Sequence, residues 1–212
     1  MGYLAQKGCS SVLQLGLIFL LAILGVCMLV AGVFMTYKYG PNSHEQPLVL
    51  KLHSFSLSNL SVSNSLSTAS WDTSFLFANQ DSTFEIVIER YESLLFYINQ
   101  SDALSCAPVE PIHLGTKRQK LVQIKFNSTA CAGEQPYIGD HMLEEIRRDG
   151  EEGTLNFKLS MDLLVMYQRG LLGWHYHLKP DCGDLHVKFV AATGNGGLIG
   201  DGTKACLVSF PK

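Results

Sequence analysis

Apolar residues alternate with polar ones along most of the chain after residue 48, a pattern typical of β-strands with one buried face. In the longest run, TLNFKLSMDLLVMY, every second residue from Leu155 to Val165 is apolar. In the other alternating runs, the apolar residues of the alternation are Leu48, Leu50, Leu52, Phe75, Phe77, Phe84, Ile86, Ile88, Val122, Ile124, Phe126, Leu185, Val187 and Phe189. Turn residues separate these runs, so the sequence predicts a mainly β fold, an antiparallel sandwich.

One segment departs from this alternation. In GDHMLEEIRRDGEEG, the apolar residues Met142, Leu143 and Ile146 share one face of a helix. Asp140 suits the start of such a helix and Gly150 suits its end. We therefore predict one short helix between two strands, packed on the sandwich through Leu143 and Ile146 and followed by a charged turn.

An uncharged stretch, LQLGLIFLLAILGVCMLVAGVFM, precedes the β region. A helix of about 20 apolar residues crosses the hydrocarbon core of a bilayer, and the segment from Leu15 to Met35 is long enough. A cleaved signal peptide is the alternative, but its apolar region spans only about 7–15 residues and follows a basic segment. Only Lys7 precedes this stretch. We expect a cytoplasmic tail at 1–14, a transmembrane helix at 15–36, a stalk at 37–47 and one folded domain at 48–212.

The cysteines of the folded domain indicate the side of the membrane on which it lies. Lys7 and Lys38 balance across the apolar stretch, so basic residues do not fix the orientation. Four cysteines in one folded region fit disulfides formed in an oxidising compartment, whereas four unpaired core thiols are the alternative. These cysteines are Cys106, Cys131, Cys182 and Cys206.

Three N-x-S/T triplets lie on the same side of the apolar stretch as these cysteines. They begin at Asn59, Asn99 and Asn127. Together with the cysteines, they favour a cytoplasmic N-terminus and an extracellular domain that has passed through the secretory route. Glycans at these positions require the three asparagines to be exposed.

The charge of the domain argues against a nucleic-acid partner. Lys7 is the only charged side chain before Lys38, so the rest of the chain carries 15 basic and 19 acidic side chains, a net charge of −4. No cluster of Lys and Arg resembles a nucleic-acid-binding surface. The mildly acidic balance favours solubility of the domain and indicates no particular partner.

Two histidines in GWHYHLKPDC raise the question of a metal site. His175 and His177 lie on one face of a strand, because residues two apart point the same way. A metal would need a third ligand, for which Asp181 and Asp184 are the nearby residues, without a spacing that requires either. Histidines on the surface of an edge strand are the simpler interpretation, so we predict no metal site.

Sequence patterns for enzymes and nucleotide sites are missing as well. The glycine-rich segment ATGNGGLIGDGTKAC breaks the GxGxxG pattern at Ile199 and contains no GK[ST], so we interpret it as a hairpin loop. No G-x-S-x-G or H-E-x-x-H motif occurs. Glu85 and Glu89 share a strand face but are a weak acid–base pair. We therefore predict no catalytic residues, no cofactor and no enzymatic activity.

Three regions of the chain resemble the plant NHL family, the proteins similar to harpin-induced and non-race-specific disease-resistance proteins, which have a type 2 late-embryogenesis-abundant (LEA) domain. The first is FLFANQDSTFEIVIERYESLLFYINQ and the second is LEEIRRDGEEGTLNFKLSMDLLVMYQRG. The third is the pair Cys182 and Cys206, which flanks the last hairpin. Family members usually show an Asn-Pro-Asn turn where this chain has Asn79-Gln80-Asp81. With the single N-terminal span, the resemblance covers nearly the whole chain.

The resemblance implies an immunoglobulin- or fibronectin-like β-sandwich in a single-pass plasma-membrane protein of the plant defence response. It implies adhesion, partner binding or signalling at the cell wall–plasma membrane boundary, with the lipid bilayer and a protein or cell-wall component as partners. On this basis we expect the disulfides Cys182–Cys206 and Cys106–Cys131. The alternative is a sandwich that binds a lipid or small ligand in an apolar groove between its sheets.

Overall fold

The structure, a computed structural model, describes residues 3–39, 41, 46–62, 67–98, 100, 103–127, 139–200 and 203–208. The chain divides into two compact units, residues 1–41 and residues 42–212. The described residues form two helices and eleven strands. In chain order these are α1 (Tyr3–Tyr39), β1 (Leu48–Val62), β2 (Ser67–Asn79), β3 (Glu85–Tyr97), β4 (Ala103–Val109), β5 (Ile112–Leu114), β6 (Gln119–Asn127), α2 (Asp140–Glu152), β7 (Thr154–Arg169), β8 (Leu172–Leu178), β9 (Asp181–Val190), β10 (Asn195–Leu198) and β11 (Lys204–Cys206).

The first unit contains α1, which is long and apolar enough to cross a membrane. Its candidate span is Gln14–Met35, with a mean hydropathy of 3.0. At 1.5 Å per residue these 22 residues extend about 33 Å, close to the thickness of a bilayer's hydrocarbon core. The predicted span at 15–36 coincides with it to within one residue at each end. The helix continues to Tyr39, so the first residues of the predicted stalk are helical.

The second unit is built on one antiparallel sheet in which three long strands organise the others. The strand order is β4-β3-β7-β9-β10-β1-β2-β6. Strand β3 pairs with β7 along one edge and with β4 and β5 along the other. Strand β7 in turn pairs with β9 over its first half and with β8 over its second half. Strand β1 pairs with β2 along one edge and with β10 and β11 along the other.

The sheet folds over so that its two halves face each other across an apolar core. Phe157 of β7 lies 5.7 Å from Phe55 of β1 and 6.4 Å from Trp71 of β2, measured between ring centroids. Phe77 of β2 lies 5.9 Å from Tyr91 of β3. These contacts join β1 and β2 to β3 and β7, which are not neighbours in the sheet. The predicted antiparallel, mainly β fold with an N-terminal apolar helix is therefore confirmed.

The alternation in β7 accounts for much of this core. Its inward residues are all 0–1% exposed. The predicted ones are Leu155, Phe157, Leu159, Met161, Leu163 and Val165, and the structure adds Tyr167. The alternation does not predict that the two layers are one continuous sheet through β9, β10 and β1. The terminal strands β4 and β6 also contact each other, so the sheet comes near to closing into a barrel. Strand twist accumulating across a wide sheet produces this curling.

Helix α2 forms where it is predicted, but its ends differ from the prediction. The N-cap is Gly139 and not Asp140, so no side chain caps the start of the helix. The helix runs through Gly150 and ends at Gly153, whose φ of 82° closes the last turn. Gly150 is buried inside the helix, where a Cβ atom would lie 3.5 Å from the ring of Phe189. Gly150 therefore permits close packing and does not end the helix.

The predicted packing face of α2 is confirmed. Met142, Leu143 and Ile146 are buried, and the helix contacts β7 and β1. A polar contact adds to this packing, because the hydroxyl of Tyr97 on β3 donates a hydrogen bond to Asp149 Oδ2 over 2.5 Å. Burial and the adjacent Asp149 carboxylate raise the pKa of the Tyr97 hydroxyl, so it remains the proton donor.

A disulfide connects β9 to β11 near the end of the chain. Cys182 and Cys206 are bonded, with 24 residues of sequence separation, which confirms the expected pair. Cys106 is also disulfide-bonded, while its expected partner, Cys131, lies outside the described residues. Cys27, within α1, is a free cysteine.

The close approach of β10 to β9 predicts a sharp difference between two adjacent glycines. A Cβ atom on Gly196 would lie 2.8 Å from Val187 Cγ1 and 3.0 Å from the carbonyl oxygen of Lys188, whereas one on Gly197 would meet nothing within 4 Å. We expect Gly196→Ala to lower the free energy of unfolding by about 1–3 kcal/mol through overpacking. Chemical denaturation of the detergent-solubilised full chain measures this. Gly197→Ala is the matched control, and equal stability of the two variants would contradict the described register.

The Cys182–Cys206 disulfide predicts a second effect on stability. Closing a loop of this length restricts the unfolded chain, so we expect the double variant Cys182→Ala/Cys206→Ala to lose about 3 kcal/mol of unfolding free energy. The same denaturation measurement applies. Cys27→Ala, which removes a free thiol in α1, is expected to leave the unfolding of the β domain unchanged. A double variant as stable as the parent chain would show that the bond does not constrain the domain.

Candidate functional site

Side chains that point outward from β3, β7 and β8 form one continuous polar surface, which we call the outer face. Arg90 of β3 pairs with Leu164 of β7, and Leu164 pairs with His177 of β8. Two residues further along the same two strands, Glu92 pairs with Asp162. Directly opposed residues of neighbouring strands project to the same side of a sheet, so these five side chains stand together.

A β-bulge in β3 determines which of its side chains reach the outer face. The register of β3 with β7 shifts between Ile88 and Arg90, which leaves Glu89 as the extra residue. Ile88 points into the core before the bulge and Tyr91 points into the core after it. The bulge therefore reverses the alternation and directs both Glu89 and Arg90 outward.

The five paired residues line a groove of about 310 Å³ on the outer face. Its walls are Arg90, Glu92, Asp162, Leu164 and His177. One guanidinium, two carboxyl groups and one imidazole surround a single aliphatic side chain, so the groove offers hydrogen-bond donors and acceptors of both charges. It lies on the outer surface of the sheet, unlike the groove between the two layers that a lipid-binding sandwich requires.

The two histidines predicted to share a face do so, but each faces a different carboxylate. His177 Nδ1 lies 3.5 Å from Asp162 Oδ1, and His175 Nε2 lies 3.3 Å from Glu89 Oε1. Asp181, the possible third ligand, instead pairs with Lys158 at 2.9 Å. Among the residues that the structure describes, no three His, Cys, Asp or Glu side chains are grouped to hold a metal ion.

A third pair extends the same arrangement onto β5. His113 Nε2 lies 3.3 Å from Glu85 Oε2, and both side chains are at least half exposed. Exposed ion pairs of this kind contribute about 0–1 kcal/mol each, because water screens them. Such groups exchange their partners at little cost, which suits reversible contact with another polar surface.

The predicted glycosylation sites are described to different extents. Asn59 is exposed and lies at an irregularity of β1, with a left-handed φ of 56°. Asn99 lies outside the described residues. Asn127 is the last residue of β6, and its side chain lies outside the described part of the structure. The expected exposure is therefore found at Asn59.

Comparisons with known proteins give no family. No family model and no curated protein matches the chain. A protein from Archaeoglobus fulgidus has 10% sequence identity and a TM-score of 0.33, over 66% of this chain and 99% of that one. The β-glucosidase from Kluyveromyces marxianus in complex with glucose has 15% identity and a TM-score of 0.27, over 58% of this chain and 15% of that one. Similarities this low assign no function.

Proposed function

We propose that this protein is a membrane-anchored, non-enzymatic module that binds a partner through the groove on its outer face. The observation that carries the proposal is the convergence of Arg90, Glu92, Asp162 and His177 around Leu164 on paired, rigid strands. A fixed arrangement of donors, acceptors and an apolar contact provides specificity without a deep cavity. The apolar helix α1 supplies the anchor.

The packing of the core favours surface binding over the internal binding of a lipid or small ligand. The space between the layers is occupied by large side chains in mutual contact, among them Phe77 with Tyr91 and Tyr97 with Phe157. A ligand site at that position would require these rings to move apart. The described inward residues instead form one apolar cluster, as in a densely packed interior.

The chemistry of the groove also supports a binding role. Asp162 faces the imidazole of His177 at 3.5 Å and the ammonium group of Lys179 at 3.9 Å, so this carboxylate has a cationic neighbour in Lys179. Its side chain and that of His177 are 43% and 71% exposed. Catalytic acids and bases often depend on burial to tune their proton affinity, and neither Asp162 nor His177 is buried.

The cellular setting is the part of the proposal that rests on the family resemblance. The resemblance implies a cytoplasmic N-terminus and a domain outside the plasma membrane, with a role in plant defence at the cell wall. The disulfide between Cys182 and Cys206 supports an oxidising compartment. The exposure of Asn59 supports passage through the secretory route.

Glycosylation at Asn59 provides the test of this orientation. In intact cells we expect the domain to be degraded by added protease and to lose mass on glycosidase treatment. Ser61→Ala removes the acceptor motif without changing the left-handed Asn59, so it is expected to remove one glycan, seen as a mobility shift on a gel. The matched control is Ser58→Ala, which keeps the motif. Protection of the domain from protease together with unchanged mobility would contradict an extracellular domain.

A photoreactive amino acid at position 164 tests the groove itself. The full-length protein carrying it in intact cells is expected to form a covalent adduct with a partner on illumination. Arg90→Glu reverses a charge in the groove and should weaken binding about tenfold, the effect of losing one charge-assisted hydrogen bond. The same photoreactive residue at Leu121, on the exposed side of β6, is the matched control. No adduct at position 164, or the same adduct at both positions, would refute the proposed surface.

A further inference from the structure

Several connections meet at one end of the domain, which we call the base. It comprises Gln46 and Pro47 before β1, the β2–β3 connection, the turn between β5 and β6, and the tip of the β7–β8 hairpin. The first described residues of the domain lie there, because the hydroxyl of Tyr167 donates a hydrogen bond to Gln46 Oε1 over 2.5 Å. Beside them, the backbone N–H of Gln80 donates to the carbonyl of Pro47 over 2.9 Å. The base therefore contains Gln46 and Pro47, the first residues that the structure describes after residue 41.

Two more connections belong to the base. The turn between β5 and β6 is joined to the β2–β3 connection, since Lys117 N–H donates to the Asp81 carbonyl over 3.0 Å. The N–H of Asn79 also donates to the carbonyl of Arg118 over 2.8 Å. The side chains of Lys117 and Arg118 are exposed at this end.

The β7–β8 hairpin ends at the base in two exposed leucines. Arg169 pairs with Leu172 as the last rung of the hairpin, and Gly170 adopts the left-handed φ of 60° that the tight turn requires. Leu171 is 104% exposed and Leu172 is 41% exposed. The tip follows closely after Tyr167, the residue that contacts Gln46. Hence the leucines lie at the same end of the domain as Gln46.

The charges around the leucines favour contact with phosphate-bearing headgroups. Lys117, Arg118 and Arg169 present basic groups at the base, in a domain whose net charge is acidic. The carboxylate of Asp81 accepts hydrogen bonds from the Thr83 and Phe84 N–H groups. Nearby, Glu85 faces His113. Of the residues that the structure describes at the base, Asp81 and Glu85 therefore have partners within the domain, and the ammonium group of Lys117 donates a hydrogen bond to the Gln80 carbonyl. Basic groups beside apolar ones are typical of surfaces that lie at a membrane interface.

The length of the tether sets how far the base can be from the bilayer. Eleven peptide bonds separate Met35, the end of the span, from Gln46, so even a fully extended chain covers no more than about 38 Å. A tether this short keeps the local concentration of the base near the bilayer high, so a weak contact suffices.

From these observations we propose that the base contacts the bilayer that α1 crosses. Leu171 and Leu172 enter the interfacial layer, while Arg169, Lys117 and Arg118 lie at the level of the lipid phosphates. The contact depends on α1 being in a membrane but not on the partner-binding role of the groove. Another protein covering the leucines is the competing possibility, and the following experiment separates the two.

A tryptophan placed at the tip reports its depth in the membrane. The full-length variant Leu171→Trp is reconstituted in vesicles of phosphatidylcholine with brominated acyl chains, which quench only tryptophans at the membrane. The control is Val190→Trp, because Val190 is 50% exposed and ends β9 beyond the first residues of β7, far from the base. Both variants keep Trp71 and Trp174, so each is compared with the parent chain. A second set of vesicles adds brominated phosphatidylserine and tests the contribution of the basic residues.

We expect the tryptophan at position 171 to lose most of its fluorescence in brominated vesicles, and the one at position 190 to lose none. A stronger loss with phosphatidylserine would assign part of the contact to the basic residues, and an equal loss in both lipids would assign it to the leucines. Both of these outcomes support the proposal. No quenching at position 171 in either lipid, or equal quenching at both positions, would overturn it. The groove is not altered in either variant, so failure here leaves the partner-binding proposal standing.

Discussion

Strand β7 is the element on which the rest of the domain depends. Its sixteen residues alternate without interruption, so one row of side chains packs into the core while the other remains at the surface. The inward row contacts both layers through Phe157. The outward row contributes Asp162 and Leu164 to the groove. A shift of one residue in register would exchange the two rows, so the same hydrophobic alternation that stabilises the core also positions the groove.

The sequence predicts those features that depend on local periodicity. The alternation from Leu155 to Val165 gives the buried face of β7 correctly, and the spacing of Met142, Leu143 and Ile146 gives the buried face of α2. The limits of α2 were wrong because a glycine inside a helix resembles a glycine that ends one. Gly150 is retained by its packing against Phe189, a contact with a residue of another strand that no local pattern reports.

The groove could not be predicted, because its residues come together only through strand pairing. Arg90, Asp162 and His177 are far apart in sequence and adjacent across β3, β7 and β8. The bulge at Glu89 is needed as well, since regular alternation would direct Arg90 into the core. The spacing of His175 and His177 correctly predicts that they share one face, yet their partners are supplied by two different strands. Sequence spacing within one strand therefore says little about what lies across the sheet.

The turn at Asn79–Asp81 contains no proline, and side-chain hydrogen bonds hold it in shape. Asn79 is buried and donates through Nδ2 to the Phe84 carbonyl over 2.8 Å, while its Oδ1 accepts from the Asp81 N–H over 2.9 Å. Burial raises the pKa of Asp81, but hydrogen bonds from Thr83 and Phe84 and the charge of Lys117 outweigh it, so the pKa lies below its ordinary value. Side-chain hydrogen bonds thus restrict the conformation of this turn, as a proline ring would. The groove lies further along β7 from this base, with Leu164 five residues or about 17 Å from Arg169. A base resting on the bilayer would therefore hold the groove within reach of partners close to the membrane surface.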